Sequence, residues 1–515
     1  MNLEIIFVIV CMIAMLSALV MDIMRPGMIL LSVVIIFLCT GILTPTEMLE
    51  GFSNKGMITV ALLFLVSEGV RQSGALNVII KKILPHKRVS VPRALLCILP
   101  PISGISAFLN NTPVVVIFAP IIKRWAERLK LPATKFLIPL SYATILGGMC
   151  SLIGTSTNLV VHGMILESGY KGFTMFELGK VGIFIAIAGI IYLLMFSNKL
   201  LPNSRIDKSE FDDNPENNLH RVEVIIGARF PGIKKTLGEF NFTRHYGAYV
   251  KEIKRNGESY TNDLDKFTIL EGDTMVLWAD DTFVPTWGDS RVFLMVANGK
   301  DDIPGESKAK RWLVTFLVIF MIIGATIGEL PFMQEVFPNM HFDMFFFVCL
   351  TTMIMAWTKA FPPKKYTKYI SWDILITIAC AFGISKALEN SGLASLIATN
   401  VISMADSFGP YGLLAVIFII TNVFTELITN NAAAALSFPI ALSVANQLGV
   451  DPTPFFVVIC MAASTSFSTP IGYQTNLIVQ GVGSYKFTDF VKVGIPLNII
   501  SFLISIFLIP LIWEF

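Results

Sequence analysis

An uncharged run of 29 residues, 94–122, separates two clusters of basic residues in this chain. Residues 71–93 hold six basic side chains and no acid, and residues 123–135 hold five basic side chains and one acid. Because basic loops of membrane proteins stay in the cytoplasm, both ends of the run are predicted to lie on that side. Two full crossings need roughly 40 residues, so we predict a re-entrant hairpin that turns at the polar residues 110–113.

The distribution of charge divides the chain into three parts. Charged residues are only 15% of the 515 positions, against roughly a quarter in soluble domains, and 54% are hydrophobic. Residues 202–310 nevertheless contain 15 basic and 19 acidic side chains. We therefore predict membrane repeat 1 at 1–201, a cytoplasmic domain at 202–310 and membrane repeat 2 at 311–515. The formal net charge of +2 gives no reason to expect a nucleic-acid polymer as partner.

The second membrane half repeats the first at an offset near 318. Residues 470–481 match 152–163 at seven of twelve positions, and the matches include Gly, Thr and Asn. With a slip of one residue, 429–431 align with 110–112. The apolar spans lie near 3–21, 28–43 and 57–70 in the first half and near 311–330, 341–358 and 370–387 in the second. Basic loops are predicted to be cytoplasmic, and they include 359–368. The acidic loops are predicted to be external, and they are 44–56, 331–343 and 388–410. With this assignment the spans of the two halves cross the membrane in opposite directions.

These observations predict a polytopic α-helical membrane protein made of two inverted repeats, an arrangement typical of secondary transporters. Each repeat is expected to contain a re-entrant hairpin and a broken helix. The second hairpin falls at roughly 413–441, and the first broken helix falls within 133–163, where Gly residues and a polar segment interrupt a long apolar run. The chain is thus expected to be a multi-pass protein of the inner (plasma) membrane.

The candidate binding residues are the polar and glycine positions of the hairpin tips and helix breaks. They are Asn110, Asn111, Thr112, Gly154, Thr155, Ser156, Thr157, Asn158, Thr429, Asn430, Asn431, Thr469, Gly472, Gln474, Thr475 and Asn476. None is Lys or Arg. Their oxygens suit a small hard cation such as sodium, and helix N-termini at the breaks suit an anion.

An anion at membrane depth without a cationic side chain is costly to desolvate, and co-bound sodium would supply the missing charge. We expect sodium to bind through Asn111, Asn158, Asn430 and Asn476, as the coupling ion and with no other cofactor. The alternative is that these polar groups only cap helix breaks and hold helices together.

Glu426 is an acid inside the second predicted hairpin, in an otherwise uncharged run. An ionisable residue at membrane depth is a candidate functional group. It either binds a coupling cation or a proton, or it locks the hairpin through backbone N–H groups. The residues alone do not separate these two interpretations.

The paired tip and helix-break motifs resemble those of the divalent-anion/sodium symporter family, within the wider ion-transporter superfamily. The run 469–476, Thr-Pro-Ile-Gly-Tyr-Gln-Thr-Asn, is similar to the branch often described as sulfate permeases. The resemblance implies a homodimeric, sodium-coupled anion symporter with an elevator-like movement. Two positions depart from the family pattern, because Asn110 stands where Ser is usual and Asn431 where Thr is usual.

The cytoplasmic domain resembles the C-terminal module of potassium-conductance regulators, the TrkA-C type, through residues 222–226, 235–238 and 270–277. The resemblance implies a small βαβ-like α/β fold. Relatives bind small regulators such as cyclic di-AMP at such modules, and a purely dimer-forming role is equally open. The domain has no Gly-x-Gly-x-x-Gly, so dinucleotide binding of that kind is not indicated.

Sodium-coupled import of a small divalent oxyanion, with sulfate favoured over a dicarboxylate, is the function that these features predict. A regulated ion channel is the alternative suggested by the regulator-like domain, but no Thr-Val-Gly-Tyr-Gly filter is present. A proton-coupled antiporter would depend on Glu426. No nucleophile and base set or phosphate loop stands out, so the chain is not expected to be an enzyme.

Overall fold

A computed structural model describes residues 3–21, 23–87, 89–203, 219–280, 282–288, 290, 292–298, 308–328, 342–405 and 409–515. α-Helices dominate these residues, and a small sheet lies in the middle of the chain. The predicted external loop 331–343 falls almost entirely outside the described residues, as do 204–218 and 299–307 within the predicted cytoplasmic domain.

The helices before the sheet follow the predicted apolar runs. They are α1 (Leu3–Val20), α2 (Pro26–Cys39), α3 (Pro45–Glu50), α4 (Lys55–Ser73), α5 (Ala75–Ile83), α6 (Val91–Ser106), α7 (Asn111–Arg128), α8 (Leu137–Gly148), α9 (Ser156–Glu167) and α10 (Gly179–Leu200). Local capping sets their ends. The Asn54 side chain accepts a hydrogen bond of 2.7 Å from the Gly56 backbone N–H at the start of α4, and Gly74 ends that helix with a φ of 68°.

Short helices of the sheet region are α11 (Leu237–Phe240), α12 (Phe242–Tyr246) and α13 (Phe283–Trp287). The helices that follow are α14 (Lys308–Gly328), α15 (Met344–Trp357), α16 (Trp372–Asn390), α17 (Leu393–Ala405), α18 (Gly409–Leu427), α19 (Asn430–Leu448), α20 (Thr453–Ser464), α21 (Gln474–Gly483) and α22 (Phe487–Ile512). Among the described residues, six helical segments are long and apolar enough to cross a membrane, and the bent pair α16 and α17 adds a seventh. The chain is therefore predominantly helical with several apolar spans, as predicted.

Each half contains a helical hairpin followed by a broken helix. Hairpin 1 is α6 and α7 and broken helix 1 is α8 and α9; hairpin 2 is α18 and α19 and broken helix 2 is α20 and α21. Helix α6 has 16 residues, about 24 Å, which is shorter than a bilayer core of about 30 Å. It also contains Pro100 and Pro101. These dimensions suit a hairpin that turns inside the bilayer, which stays a prediction.

The first segments of the two broken helices form the centre of the helical core. All twelve residues of α8 are buried, and so are eleven of the twelve residues of α20. A helix that is apolar on all sides is expected to be enclosed by others. A close approach to hairpin 1 explains Gly147, because a Cβ there would lie 2.0 Å from the Ser103 carbonyl oxygen. The helix breaks are consequently held at the middle of the protein.

The inserted sheet has five strands in the order β3-β2-β4-β1-β5. The strands are β1 (His220–Ile226), β2 (Tyr249–Arg255), β3 (Glu258–Tyr260), β4 (Thr274–Ala279) and β5 (Phe293–Asn298). All pairings among them are antiparallel. A simple βαβ unit, in which β1 and β2 would be adjacent and parallel, is therefore not formed. Strands β1 and β2 do run in the same direction, but β4 lies between them.

Alternate residues of β1 face two different cores. Val222, Val224 and Ile226 pack into the core of the small domain, whereas Ile225 belongs to the hydrophobic core of the membrane helices. This follows from the two-residue period of a strand. A Cβ on Gly481, near the end of α21, would lie 3.0 Å from the Ile225 side chain. The sheet thus packs directly against broken helix 2.

An ion pair joins the same strand to hairpin 1. The Lys123 ammonium of α7 donates to the Glu223 carboxylate at 2.7 Å, and only 12% and 17% of the two side chains are exposed. Burial by itself would raise the pKa of Glu223, but Lys123, helped by Lys254 and Arg221, more than offsets this effect and lowers the pKa to about 2. The inserted sheet is therefore tied to elements of both membrane halves.

Candidate binding site at the hairpin tips

The two hairpin tips have the same local hydrogen bond. Ser106 donates its hydroxyl to the Asn111 side-chain oxygen at 2.8 Å, and Thr425 donates to the Asn430 side-chain oxygen at 2.7 Å. In each case the hydroxyl lies five residues before the asparagine, at the end of the first helix of the hairpin. The bond turns the asparagine amide inwards, and both asparagines are buried.

The two helix breaks also have matching contacts. The Asn158 amide donates to the Ser151 carbonyl at 2.8 Å, and the Asn476 amide donates to the Thr469 carbonyl at 3.1 Å. Residues 151 and 469 each accept a second bond at the side chain, from the N–H groups of residues 154 and 472 at 3.2 and 3.3 Å. The three pairs, Ser151 and Thr469, Gly154 and Gly472, and Asn158 and Asn476, are each 318 residues apart. Each break is thus a closed turn whose carbonyls are held by an asparagine.

Two positions in the helix breaks are glycine because neighbouring groups lie too close to leave room for a side chain. A Cβ on Gly472 would lie 2.0 Å from the Ser466 hydroxyl and 2.5 Å from the Thr425 carbonyl oxygen. A Cβ on Gly154 would lie 2.5 Å from the Gly148 carbonyl oxygen. Any side chain at these positions would push the turn away from its neighbours.

Hairpin 1 contacts broken helix 2. The Asn111 amide donates to the Tyr473 hydroxyl, and the hydroxyl of Thr112 lies 3.4 Å from the Gln474 side-chain oxygen. These four residues cap or begin α7 and α21. The N-termini of these two helices are consequently neighbours.

Hairpin 2 contacts broken helix 1 in the equivalent way. Ser156 and Thr157 both donate to the Asn431 side-chain oxygen, at 3.2 and 3.3 Å. The hydroxyls of Thr155 and Tyr473, which cap α9 and α21, lie 3.0 Å apart and join the two pairs. Four helix N-termini, those of α7, α9, α19 and α21, therefore meet in one place.

The electrostatics of this meeting point favour an anion. The segments 106–112, 148–158 and 464–476 contain no charged residue, and 425–431 contains only Glu426, whose carboxylate bonds to the Ser468 N–H. Helix N-termini carry the positive end of the helix dipole and N–H groups without an intrahelical partner. The N-caps Asn110, Thr155, Thr429 and Tyr473 make no side-chain bond to these N–H groups. An anion is the group that fits such donors.

Oxygen atoms without partners favour a cation in the adjoining breaks. The side-chain oxygens of Asn158, Thr475 and Ser464 are buried and have no hydrogen-bond partner. Buried polar atoms are normally satisfied, so an unpartnered oxygen requires an explanation. A small hard cation bound by oxygens supplies one. The oxygen of Asn476, by contrast, accepts from Ser141 at 2.7 Å.

Sodium was predicted to bind through four asparagines, and these differ in whether the side-chain oxygen accepts a hydrogen bond. Only Asn158 keeps a side-chain oxygen without a donor, because the oxygens of Asn111, Asn430 and Asn476 accept hydroxyl hydrogen bonds. No group of three or more His, Cys, Asp or Glu residues suited to a metal occurs within the described ranges.

Glu426 bonds to donors rather than to a cationic side chain. Its Oε1 atom accepts from the Ser468 backbone N–H and from the Asn498 amide, both at 2.8 Å. Asn498 lies on α22 and also donates to the Ser468 hydroxyl at 2.9 Å. The carboxylate therefore ties hairpin 2 to broken helix 2 and to α22. Of the two interpretations left open above, this geometry favours the lock.

Sequence reasoning missed the partners of the tip residues. Ser106 and Thr425 stand five residues before Asn111 and Asn430, so a search for a hydroxyl at equal spacing in both repeats would have found them. Asn498 is a polar residue in the apolar helix α22, which is also a readable signal. Tyr473 was part of the quoted motif but was not proposed as a site residue.

The remaining candidates lie at the edge of the cluster. Asn110 and Ser156 line a crevice whose other wall contains Val60 and Phe64 of α4 and Met321 of α14. Thr429 and Gln474 are exposed. These residues border the place where the four N-termini meet and do not form its centre.

Comparisons with known proteins give the family. The model of the citrate transporter family (CitMHS) matches residues 12–450 and 349–514. An uncharacterized transporter of Synechocystis is 29% identical, over 93% of this chain and 92% of that protein. Sodium/sulfate cotransporter 1 of Chlamydomonas reinhardtii is 21% identical, over 91% of this chain and 85% of that protein. Solute carrier family 13 member 4 of Homo sapiens is 26% identical over 30% of this chain and 24% of its own length.

The family model and the relative from Synechocystis cover both membrane halves, and both are transporters rather than enzymes, in agreement with the prediction that the chain is not an enzyme. The similarity to a regulator module was not among these findings and stays a prediction. The chain belongs to the citrate transporter family of membrane transporters.

Proposed function

We propose that the protein is a sodium-coupled symporter of a small divalent anion, with sulfate as the favoured substrate. The observation that carries the proposal is the convergence of four helix N-termini at a place without a basic side chain. The tips and breaks supply the residues that would bind the anion and sodium. A dicarboxylate is the alternative substrate.

A comparison of the helix-dipole energy with the cost of desolvating an anion indicates why sodium is needed. One helix N-terminus stabilises an anion by about 0.3–1 kcal/mol at an exposed site and by up to about 2 kcal/mol when partly buried. Removing an ion from water costs several kcal/mol per charge. Four N-termini therefore offset part of this cost for a dianion but leave a deficit. Sodium at the unpartnered oxygens of Asn158 and Thr475 would reduce that deficit, so anion and sodium binding become coupled.

The names of the relatives support an inorganic anion and also keep an alternative open. The relative from Chlamydomonas is named a sodium/sulfate cotransporter, and it aligns along both membrane halves. The family model is described as that of citrate transporters, which keeps a carboxylate open as the substrate. Sulfate is our first choice because the relative from Chlamydomonas, which covers most of this chain, is named for sulfate together with sodium.

The architecture belongs to the proposal as well. Hydrogen bonds that recur at offsets of 318 and 319 support two structural repeats, and the loop charges support their inverted direction. Hairpins and broken helices that contact one another would move together as the carrier body of an elevator. We also propose a homodimer in the inner membrane, with 202–310 as a cytoplasmic, TrkA-C-like regulatory domain that binds a small ligand.

The test is uptake of labelled sulfate, succinate and citrate into proteoliposomes with an inward sodium gradient. We expect sulfate uptake that depends on sodium and stops when an ionophore collapses the gradient. A potassium gradient of equal size is the control. Equal uptake of every anion without a sodium gradient would contradict the proposal, and unitary electrical currents would favour a channel.

A further inference from the structure

We propose that Tyr473 restricts the anion site to compact tetrahedral oxyanions and excludes longer dicarboxylates. This inference rests on the proposed function and names the substrate class of the same site. It is carried by the asymmetry between two equivalent positions. Thr155 and Tyr473 cap α9 and α21 with nearly the same backbone conformation, φ and ψ of −138° and 146° against −134° and 130°.

The ring of Tyr473 crosses between the halves of the protein. Its hydroxyl lies 3.0 Å from the Thr155 hydroxyl and accepts a hydrogen bond from the Asn111 amide at the tip of hairpin 1. The phenol of one repeat thus reaches the cap of the other repeat's broken helix. Thr155 is the smaller residue at the equivalent position, and it is buried.

The position of the ring is set by the turn before it. Gly472 brings the backbone so close to Thr425 and Ser466 that no side chain fits there, and its N–H donates to Thr469 at 3.3 Å. The ring consequently starts from a backbone that is tied to hairpin 2. The hydroxyl contacts with Asn111 and Thr155 then hold the ring at the junction of the two halves, where a bound anion would lie beside it.

The hydroxyl has a chemical role beside its steric one. Because the Asn111 amide donates to the phenol oxygen, the phenol hydrogen is left to be donated, either to Thr155 or to an oxygen of a bound anion. A tetrahedral dianion has oxygens on all sides and can use this donor together with the N–H groups of several helices. A chain dicarboxylate must place two carboxylates apart, along a length that the ring occupies.

Two variants separate size from hydrogen bonding. Tyr473→Thr copies the residue of the first repeat, and we expect it to raise the ratio of succinate to sulfate uptake by about tenfold or more. Tyr473→Phe keeps the ring and removes the hydroxyl. We expect it to leave that ratio unchanged and to raise the KM for sulfate about tenfold, since one hydrogen bond to a charged group is lost. Tyr411→Phe, at an exposed tyrosine that packs against Phe515, is the matched control.

The outcomes are distinguishable. If the wild-type protein transports sulfate and Tyr473→Thr shows the same anion preference, the inference is wrong and the proposed function stands. If both variants lose uptake equally and also melt at a lower temperature than the wild-type protein, Tyr473 is structural and the inference is wrong. If the wild-type protein transports no anion with sodium, or prefers citrate to sulfate, the inference fails together with the substrate assignment.

Discussion

The hydroxyls of Thr155 and Tyr473 lie 3.0 Å apart, although 318 residues separate them in the chain. Each is the N-cap of the second segment of a broken helix, and the two positions correspond at the offset that relates the two proposed repeats. Two equivalent residues touch only where the two halves face each other. Their contact therefore marks the point around which the tips and breaks are arranged.

Replacing either tip asparagine is expected to abolish transport. In Asn111→Ala and in Asn430→Ala the tip loses the amide that Ser106 or Thr425 orients. Sodium-driven sulfate uptake should fall at least about tenfold, because a loss of 1.4 kcal/mol already has that effect. Asn446→Ala, at an exposed asparagine, is the control. Wild-type rates in both tip variants would mean that the motifs only cap the helices.

Thr475→Val distinguishes a sodium ligand from a structural hydroxyl. The Thr475 hydroxyl is buried and has no partner, so removing it should be neutral or stabilising if it binds nothing. We expect instead that half-maximal uptake requires several times more sodium, at unchanged stability. Thr351→Val is the matched control for Thr475→Val. The Thr351 hydroxyl is also buried without a partner, but it lies on α15, away from the tips. An equal response of the two variants would refute the ligand role.

Glu426→Gln distinguishes a carboxylate that holds hairpin 2 in place through hydrogen bonds from one that binds a coupled proton. Both strong hydrogen bonds go to Oε1, which a glutamine can keep as its amide oxygen. We therefore expect Glu426→Gln to transport normally with an unchanged pH profile, whereas Glu426→Ala should lower the melting temperature and the rate. Loss of pH-dependent uptake in Glu426→Gln alone would support a proton-coupled antiporter.

The ion pair between Lys123 and Glu223 should hold the inserted sheet over a wide pH range. The pKa of Glu223 is lowered from 4.5 to about 2, so its stabilising contribution is complete above 4.5 and is lost as the pH falls through 2. The difference in melting temperature between the wild-type protein and Glu223→Gln should be constant from pH 5 to 8. It should shrink below pH 4. A difference that changes between pH 6 and 8 would show that another group controls the contact.

Much of the fold could be predicted because its signals are local. The apolar runs, the clusters of basic residues and the Gly, Pro and Asn residues at helix breaks are read directly along the chain, and helices α1, α2 and α4 follow the predicted runs closely. The strand pairing of the inserted domain was less predictable. Adjacent β1 and β2 would satisfy the same alternating pattern, and only packing places β4 between them.

The sequence by itself determined that the chain is a helical membrane transporter, where its helices break, and which polar residues lie at those breaks. Hydropathy and helix-breaking residues act on their own segment, so they need no tertiary information. The tertiary structure decided which groups meet: Asn111 with Tyr473, Asn431 with Ser156, and Glu426 with Asn498. Such contacts join distant segments through close packing, which depends on how all the helices fit together. No local pattern encodes them.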